Sequence, residues 1–106
     1  MDLLKGTLDV LILKTLSRGP LHGYAVSKSI REATREAFSV EEGALYPALR
    51  RLEQKELVEA EWGITDTGRE ARFYTLTAPG SRRLEEDVRE WGQYVEAMAR
   101  VLQGGQ

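Results

Sequence analysis

Between residues 3 and 17, LLKGTLDVLILKTLS, apolar and polar positions alternate with the period of a helix. Leu4, Leu8, Leu11 and Ile12 form one stripe, which Leu3, Val10, Leu13 and Leu16 broaden, so the pattern predicts a central helix covered on more than one side. The RGP at 18–20 ends it, since Gly19 suits a left-handed terminus and Pro20 cannot continue a helix. A second helix is predicted from about Gly23 to Arg35, with Val26, Ile30, Ala33 and Ala37 on its buried side and Phe38 anchoring the turn that follows. The third opens at Ser39, where Ser39 and Glu42 have the spacing of a capping box, and runs to Lys55 or Glu56. Its apolar stripe is Leu45, Ala48, Leu49 and Leu52, while Gly43, Ala44, Pro47, Arg50, Arg51 and Gln54 face outward.

The period then changes to two. In LVEAEW, residues 57–62, Val58, Ala60 and Trp62 share one face and glutamates the other, and ARFYTLT at 71–77 is aromatic and β-branched enough to be the partner strand. The intervening GITDTGRE is too long for a tight hairpin and contains the turn formers Asp66 and Gly68, which predicts a protruding tip with Trp62 as packing for the hairpin. A last helix follows from about 79 to 102. Leu84, Val88, Trp91, Val95, Met98 and Leu102 give it a heptad seam, Glu85–Arg89 and Glu96–Arg100 add support at four-residue spacing, and the final QGGQ frays. The fold class predicted is α+β, mostly α. A winged helix-turn-helix (α-α-α-β-β) spans residues 1–77, and a long C-terminal dimerisation helix, residues 78–106, completes one compact unit.

A chain of 106 residues, 42% apolar, has room for a thin core of short elements and gains from dimerisation. Having no cysteine, it has no disulfide, thiol nucleophile or thiolate metal site, which fits a reducing cytoplasm. No apolar run approaches the length of a membrane span, so no membrane partner is expected. The net charge of −2 is unevenly spread: residues 1–38 hold six Lys/Arg against four Asp/Glu, residues 39–76 five against eight, and residues 77–106 four against five. A DNA binder needs a local cationic footprint rather than a basic total, and the acidic middle works against one.

Chemistry is thinly represented. His22 is the one histidine and has no companion for a metal site or a triad, Glu41 and Glu42 suit a helix start, and no glycine-rich phosphate loop occurs. No enzyme, metal or cofactor is therefore expected. The outward face of the third helix is more informative. Gly43, Ala44 and Pro47 are small enough for a groove floor to approach, Ala and Pro can touch a thymine methyl, and Arg50 and Arg51 can reach phosphates or a guanine edge.

DLLKGTLDVLILKTL, GPLHGY, GALYPALRRLE, AEWG and ARFYTLTAPGSRRL occur in that order, and the chain so marked, roughly residues 2–102, resembles the PadR family of transcriptional regulators, in its short branch with a single C-terminal helix. The resemblance implies a homodimeric winged-helix protein that represses at a palindromic operator. It places Tyr46, Pro47 and their outward neighbours Ser39, Gly43 and Ala44 against double-stranded DNA, together with Arg50 and Arg51. His22, Tyr24, Ser27 and Lys28 would lie along the phosphate backbone, and the wing would contribute Arg69 and Arg72. Glu70 and Ala71 stand where relatives carry more arginine, which weakens the wing's ionic grip and predicts salt-sensitive binding of moderate strength. Trp91 has two readings: it fills the seam between C-terminal helices, or it lines a pore at the dimer centre where some members bind flat aromatic effectors. The competing reading is a winged-helix protein-interaction module without specific DNA binding, for which the acidic middle segment argues.

Pro47 stands inside the third helix, where it removes the bond to the carbonyl of Gly43 and would clash with that carbonyl, at a cost of about 3 kcal/mol in an ordinary helix interior. A glycine at 43 is expected to let the backbone adjust and to leave a free carbonyl on the DNA-facing side.

Overall fold

A computed structural model describes Leu3, Leu4 and residues 6–104. The elements are α1 (Thr7–Leu16), β1 (Leu21–His22), α2 (Gly23–Ala33), α3 (Glu42–Gln54), β2 (Val58–Ile64), β3 (Glu70–Leu76) and α4 (Ala78–Gly104). This is the winged helix-turn-helix with a long terminal helix, plus one strand that the hydrophobic pattern does not announce. Leu21 and His22 pair antiparallel with Tyr74 and Phe73, so the sheet has the order β1-β3-β2 and β3 is its centre.

One core holds the layers together. Ile12, Leu13 and Leu16 of α1 meet Val26 and Ile30 of α2, the whole predicted stripe of α3, Leu57 just after it, and Val58 and Tyr74 of the hairpin. The first helix is shorter than its pattern suggests. It begins after Gly6, whose φ of 86° is left-handed, and Leu4 precedes it as an exposed residue. Lys5 of that expected helix, and Gly105 and Gln106 of the expected frayed end, lie outside the described residues.

The capping box at Ser39 does not form. Glu41 is the N-cap, its carbonyl accepts the amides of Ala44 and Leu45, and no side chain caps the helix. What sets the start is apolar: Val40 packs on the core, and Val40 and Leu45 have the spacing of a hydrophobic staple around that cap. The later start makes Pro47 the sixth of the helix's thirteen residues. The helix continues through it, with Leu45 before and Ala48, Leu49 and Leu52 after it all buried. Gly43 keeps a negative φ and has open space around its Cα, so the helix accommodates Pro47 without a left-handed residue.

The end of α3 is a Schellman motif. Leu57 N–H donates to the Leu52 carbonyl, Glu56 N–H donates to that of Glu53, and both leucines enter the core. Glu56 therefore holds a left-handed φ of 61°, a region where a Cβ is penalised.

The hairpin strands extend further than predicted, leaving only residues 65–69 at the tip. Gly68 is left-handed at φ 83°, its amide donates to the Thr65 carbonyl, and Thr65 N–H donates to the Arg69 carbonyl. This is the short loop with a glycine bulge that suits the right-handed twist of the flanking strands. Trp62, expected as packing, is instead exposed.

Helix α4 is capped by Thr77, whose hydroxyl accepts the Gly80 amide at 3.0 Å and donates to the Glu56 carbonyl at 2.8 Å. Gly80 and Leu84 are buried against the domain, and α4 packs on α1. Beyond them the helix projects, drawing the molecule out to 57 × 29 × 22 Å. Of the predicted support pairs Glu96–Arg100 forms, Arg83–Asp87 forms in addition, and Glu85–Arg89 is not within ion-pair distance among the described residues.

Two substitutions test these joints by chemical denaturation. Gly80→Ala would place a Cβ 2.0 Å from the Leu57 carbonyl oxygen, so a loss of about 2 kcal/mol or more is expected, in the upper range of overpacking. Glu56→Gly removes the left-handed penalty and should raise stability by about 0.5–1 kcal/mol, less than the full penalty because glycine also loosens the unfolded chain. A stable Gly80→Ala protein would show that α4 does not approach the hairpin this closely.

Candidate nucleic-acid interface

Helix α3 presents its unburied side over its full length. Gly43, Ala44, Tyr46, Pro47, Arg50 and Arg51 are all exposed, as is Ser39 just before the helix. Between this side, the start of α2 and the wing lies an open groove of about 980 Å³. Seven of the residues singled out from sequence line it: His22, Tyr24, Lys28, Tyr46, Arg50, Arg69 and Arg72. Ser27, Ser39, Gly43, Ala44, Pro47 and Arg51 lie outside it. Ser27 has its hydroxyl turned back to the Tyr24 carbonyl at 3.1 Å.

The groove's inner corner depends on close backbone approach. A Cβ on Gly23 would sit 2.7 Å from the Tyr46 ring and hydroxyl, so the absence of a side chain there is what lets Tyr46 of α3 lie over the first turn of α2. His22 flanks this contact, with its ring 5.3 Å from Phe73 and 6.4 Å from Tyr24. No side chain caps α2 at His22, so the amides of its first turn keep their donor capacity. Tyr74 forms part of the wall. Burial pushes its phenol above the ordinary tyrosine value, with the nearby Arg72 charge opposing that shift.

Two of the expected cations are committed elsewhere. Arg51 donates to Asp9 of α1 at 2.9 Å, and Arg72 donates to Glu53 of α3 at 2.8 Å while lying 5.9 Å from the centre of the Tyr74 ring. Neither pair is buried, so each contributes less than about 1 kcal/mol and can be exchanged for a stronger anion. Lys28, Arg50 and Arg69 form no ion pair among the described residues.

Sequence reasoning overlooked Gly23, Trp62 and Glu53 here. The period of two does put Trp62 on the sheet face that turns toward α3, but gives no measure of how far the core reaches along that face. Among the described residues no group of three or more acidic or histidine side chains is placed to hold a metal ion.

Comparison with known proteins agrees with this architecture. The sequence signature of the transcriptional regulator PadR-like family matches residues 12–86, most of the chain. The chain belongs to the PadR-like family. Members of this PadR family are DNA-binding transcriptional regulators. The crystal structure of a PadR family transcription regulator from hypervirulent Clostridium difficile superposes with a TM-score of 0.80 at 32% identity, covering 92% of this chain and 99% of that one. A transcriptional regulator of Mycobacterium tuberculosis is 36% identical over 95 residues, 90% of this chain and 81% of its own length. The negative transcriptional regulator PadR of Bacillus subtilis is 29% identical over 79 residues, 74% of this chain but 43% of that longer protein.

Gly23→Ala should displace Tyr46 and open the corner between α2 and α3. The expected result is DNA binding weakened by about tenfold or more with a much smaller change in unfolding free energy, because Tyr46 is already partly exposed. Parallel binding and denaturation curves check it, and unchanged binding would remove Tyr46 from the interface.

Proposed function

We propose that this chain is a cytoplasmic homodimeric repressor that binds a palindromic operator. Each α3 enters a major groove with Gly43, Ala44, Tyr46 and Pro47 against base edges and Arg50 on a guanine edge or phosphate. His22, Tyr24, Ser27 and Lys28 at the start of α2 follow the backbone, with Ser39 near the entry of α3, and Arg69 on the wing reaches the adjacent phosphates. Arg51 and Arg72 join only by leaving Asp9 and Glu53. The observation that carries this reading is the groove itself, bounded by the open side of α3, the start of α2 and the wing, with three uncommitted cations. The name of the Bacillus subtilis relative supports repression.

Dimerisation is argued from α4. Val88, Trp91, Tyr94, Val95, Met98, Val101 and Leu102 are between 43% and 80% exposed in the single chain, an apolar stripe long enough to need a partner. Leu84, at the head of the seam, is already covered by the chain's own core, so the shared surface begins at Val88. A second copy of α4 is the occupant that a heptad seam specifies. Trp91 and Tyr94 stack at 5.6 Å on the same stripe, and a flat aromatic effector at the dimer centre would insert beside them. Such a ligand relieves repression only if it binds one spacing of the two recognition helices better than the other.

Selection of bound sequences from random duplexes should enrich a palindrome. Enrichment of none would favour the protein-interaction reading. With three free cations per subunit, six per dimer, the slope of log K against log salt should be about −5, against about −9 if all five arginines and lysines of the face bound phosphate. Arg50→Ala should make that slope shallower by about 2 and reduce affinity at least tenfold. Val95→Asp or Met98→Asp should yield monomers in sedimentation, with DNA affinity down by more than a hundredfold because the two half-sites are no longer linked. A dimer that survives either change places the interface elsewhere.

A further inference from the structure

We propose that the wing grips DNA mainly through Trp62, which makes an apolar contact with the sugars and base edges of the minor groove beside each half-site. The inference rests on the DNA-binding reading above and assigns a residue to it that charge patterning does not suggest. Trp62 is 69% exposed and its neighbour on the same strand face, Ile64, is 63% exposed. Alternation puts both on the face that carries Val58 and Ala60, which are covered, so the sheet runs past the edge of the core and takes its apolar face with it. An indole left in water at the end of a well-formed hairpin gives up burial that a contact can recover.

The register shows where that face points. Trp62 is directly opposite Arg72, and Ile64 opposite Glu70. Trp62 lines the same groove as Lys28, Arg50 and Arg69, whereas Glu59 and Glu61 of the same strand lie on the other face of the sheet. Carboxylates on the groove side are Asp66 and Glu70, both toward the tip. The wing is also poor in usable cations. Residues 58–76 contain Arg69 and Arg72 alone, and Arg72 is held by Glu53. A wing with one free arginine cannot hold DNA chiefly by charge, and its largest exposed group is apolar. Insertion of apolar side chains into the minor groove is a known mode of DNA binding. The hairpin is braced for this: Thr65 Oγ1 accepts the Arg69 amide at 3.2 Å and lies 3.1 Å from Thr67 Oγ1.

The discriminating property is salt. An apolar contact releases no counterions, so Trp62→Ala should weaken binding to the selected duplex at least tenfold while leaving the slope of log K against log salt unchanged. Arg69→Ala should make the slope shallower. Trp62→Phe should recover most of the lost affinity, and the thermal midpoint of each variant should stay near that of the parent because Trp62 is outside the core. Hydroxyl-radical footprinting should show minor-groove sugars protected by the parent and by Trp62→Phe but open with Trp62→Ala. Binding by Trp62→Ala within twofold of the parent, or a shallower slope with it, overturns the proposal. So does a change in oligomeric state on sedimentation, which would make a second copy the occupant of this face. Failure of the parent protein to bind any duplex would instead count against the DNA-binding reading itself.

Discussion

The pairing of Leu21 and His22 with Tyr74 and Phe73 decides the geometry of the groove between α2, α3 and the wing. Without it the helix-turn-helix half and the hairpin would meet, apart from the chain that joins them, only through core side chains and the Arg72–Glu53 ion pair, which fix distance better than angle. The strand pairing makes β3 a central strand and ties the N-cap of α2 to the wing by backbone hydrogen bonds, whose directionality leaves little freedom. His22 is at once a strand residue and the N-cap of α2, so the start of that helix cannot move relative to the wing without breaking the ladder. Gly23 follows immediately, and its bare Cα admits Tyr46 from α3. Three consecutive features of the chain, strand, cap and close approach, therefore define the groove between α2, α3 and the wing.

Charge on this frame is partly neutralised from within. Arg51 and Arg72 are held by Asp9 and Glu53, which share no element with them, so the ion pairs link α3 to α1 and the wing to α3. Each is worth less than about 1 kcal/mol in isolation, yet each must be given up before the arginine can meet a phosphate. On the proposed DNA-binding reading this is a subtraction: the free positive face is smaller than a count of arginines suggests. The acidic balance of residues 39–76 thus acts locally, through specific partners, rather than as a diffuse field.

The sequence was legible where a period carried the information. The buried stripe of α3 at Leu45, Ala48, Leu49 and Leu52 follows from spacing alone, and so do the paired strands and the long apolar stripe of α4. It was illegible where a contact joined distant residues. Asp9 and Arg51 are 42 positions apart and Glu53 and Arg72 are 19 apart, and no local pattern couples them. A two-residue strand has no period, and its neighbours Pro20 and Gly23 read as a turn. At the start of α3 two local signals competed, a capping box at Ser39 and an apolar anchor at Val40, and burial of Val40 prevailed over one side-chain hydrogen bond.

Pro47 shows how these constraints combine. In an isolated helix it would be a defect, because it removes a backbone hydrogen bond and meets the carbonyl of Gly43. Here the residues on either side of it are fixed by the core: Leu45 two positions before it and Ala48, Leu49 and Leu52 after it are all buried. Packing of that stripe holds the axis of α3 through the point where its own hydrogen bonding is interrupted. The consequence falls on the opposite side, where Gly43, Ala44 and the flat ring of Pro47 are exposed. A surface of this kind has no long side chain to displace and little rotamer entropy to lose on contact. Those are the properties required where a helix must come close to the edges of base pairs, so the feature that weakens the helix from within also suits its outer face to the groove.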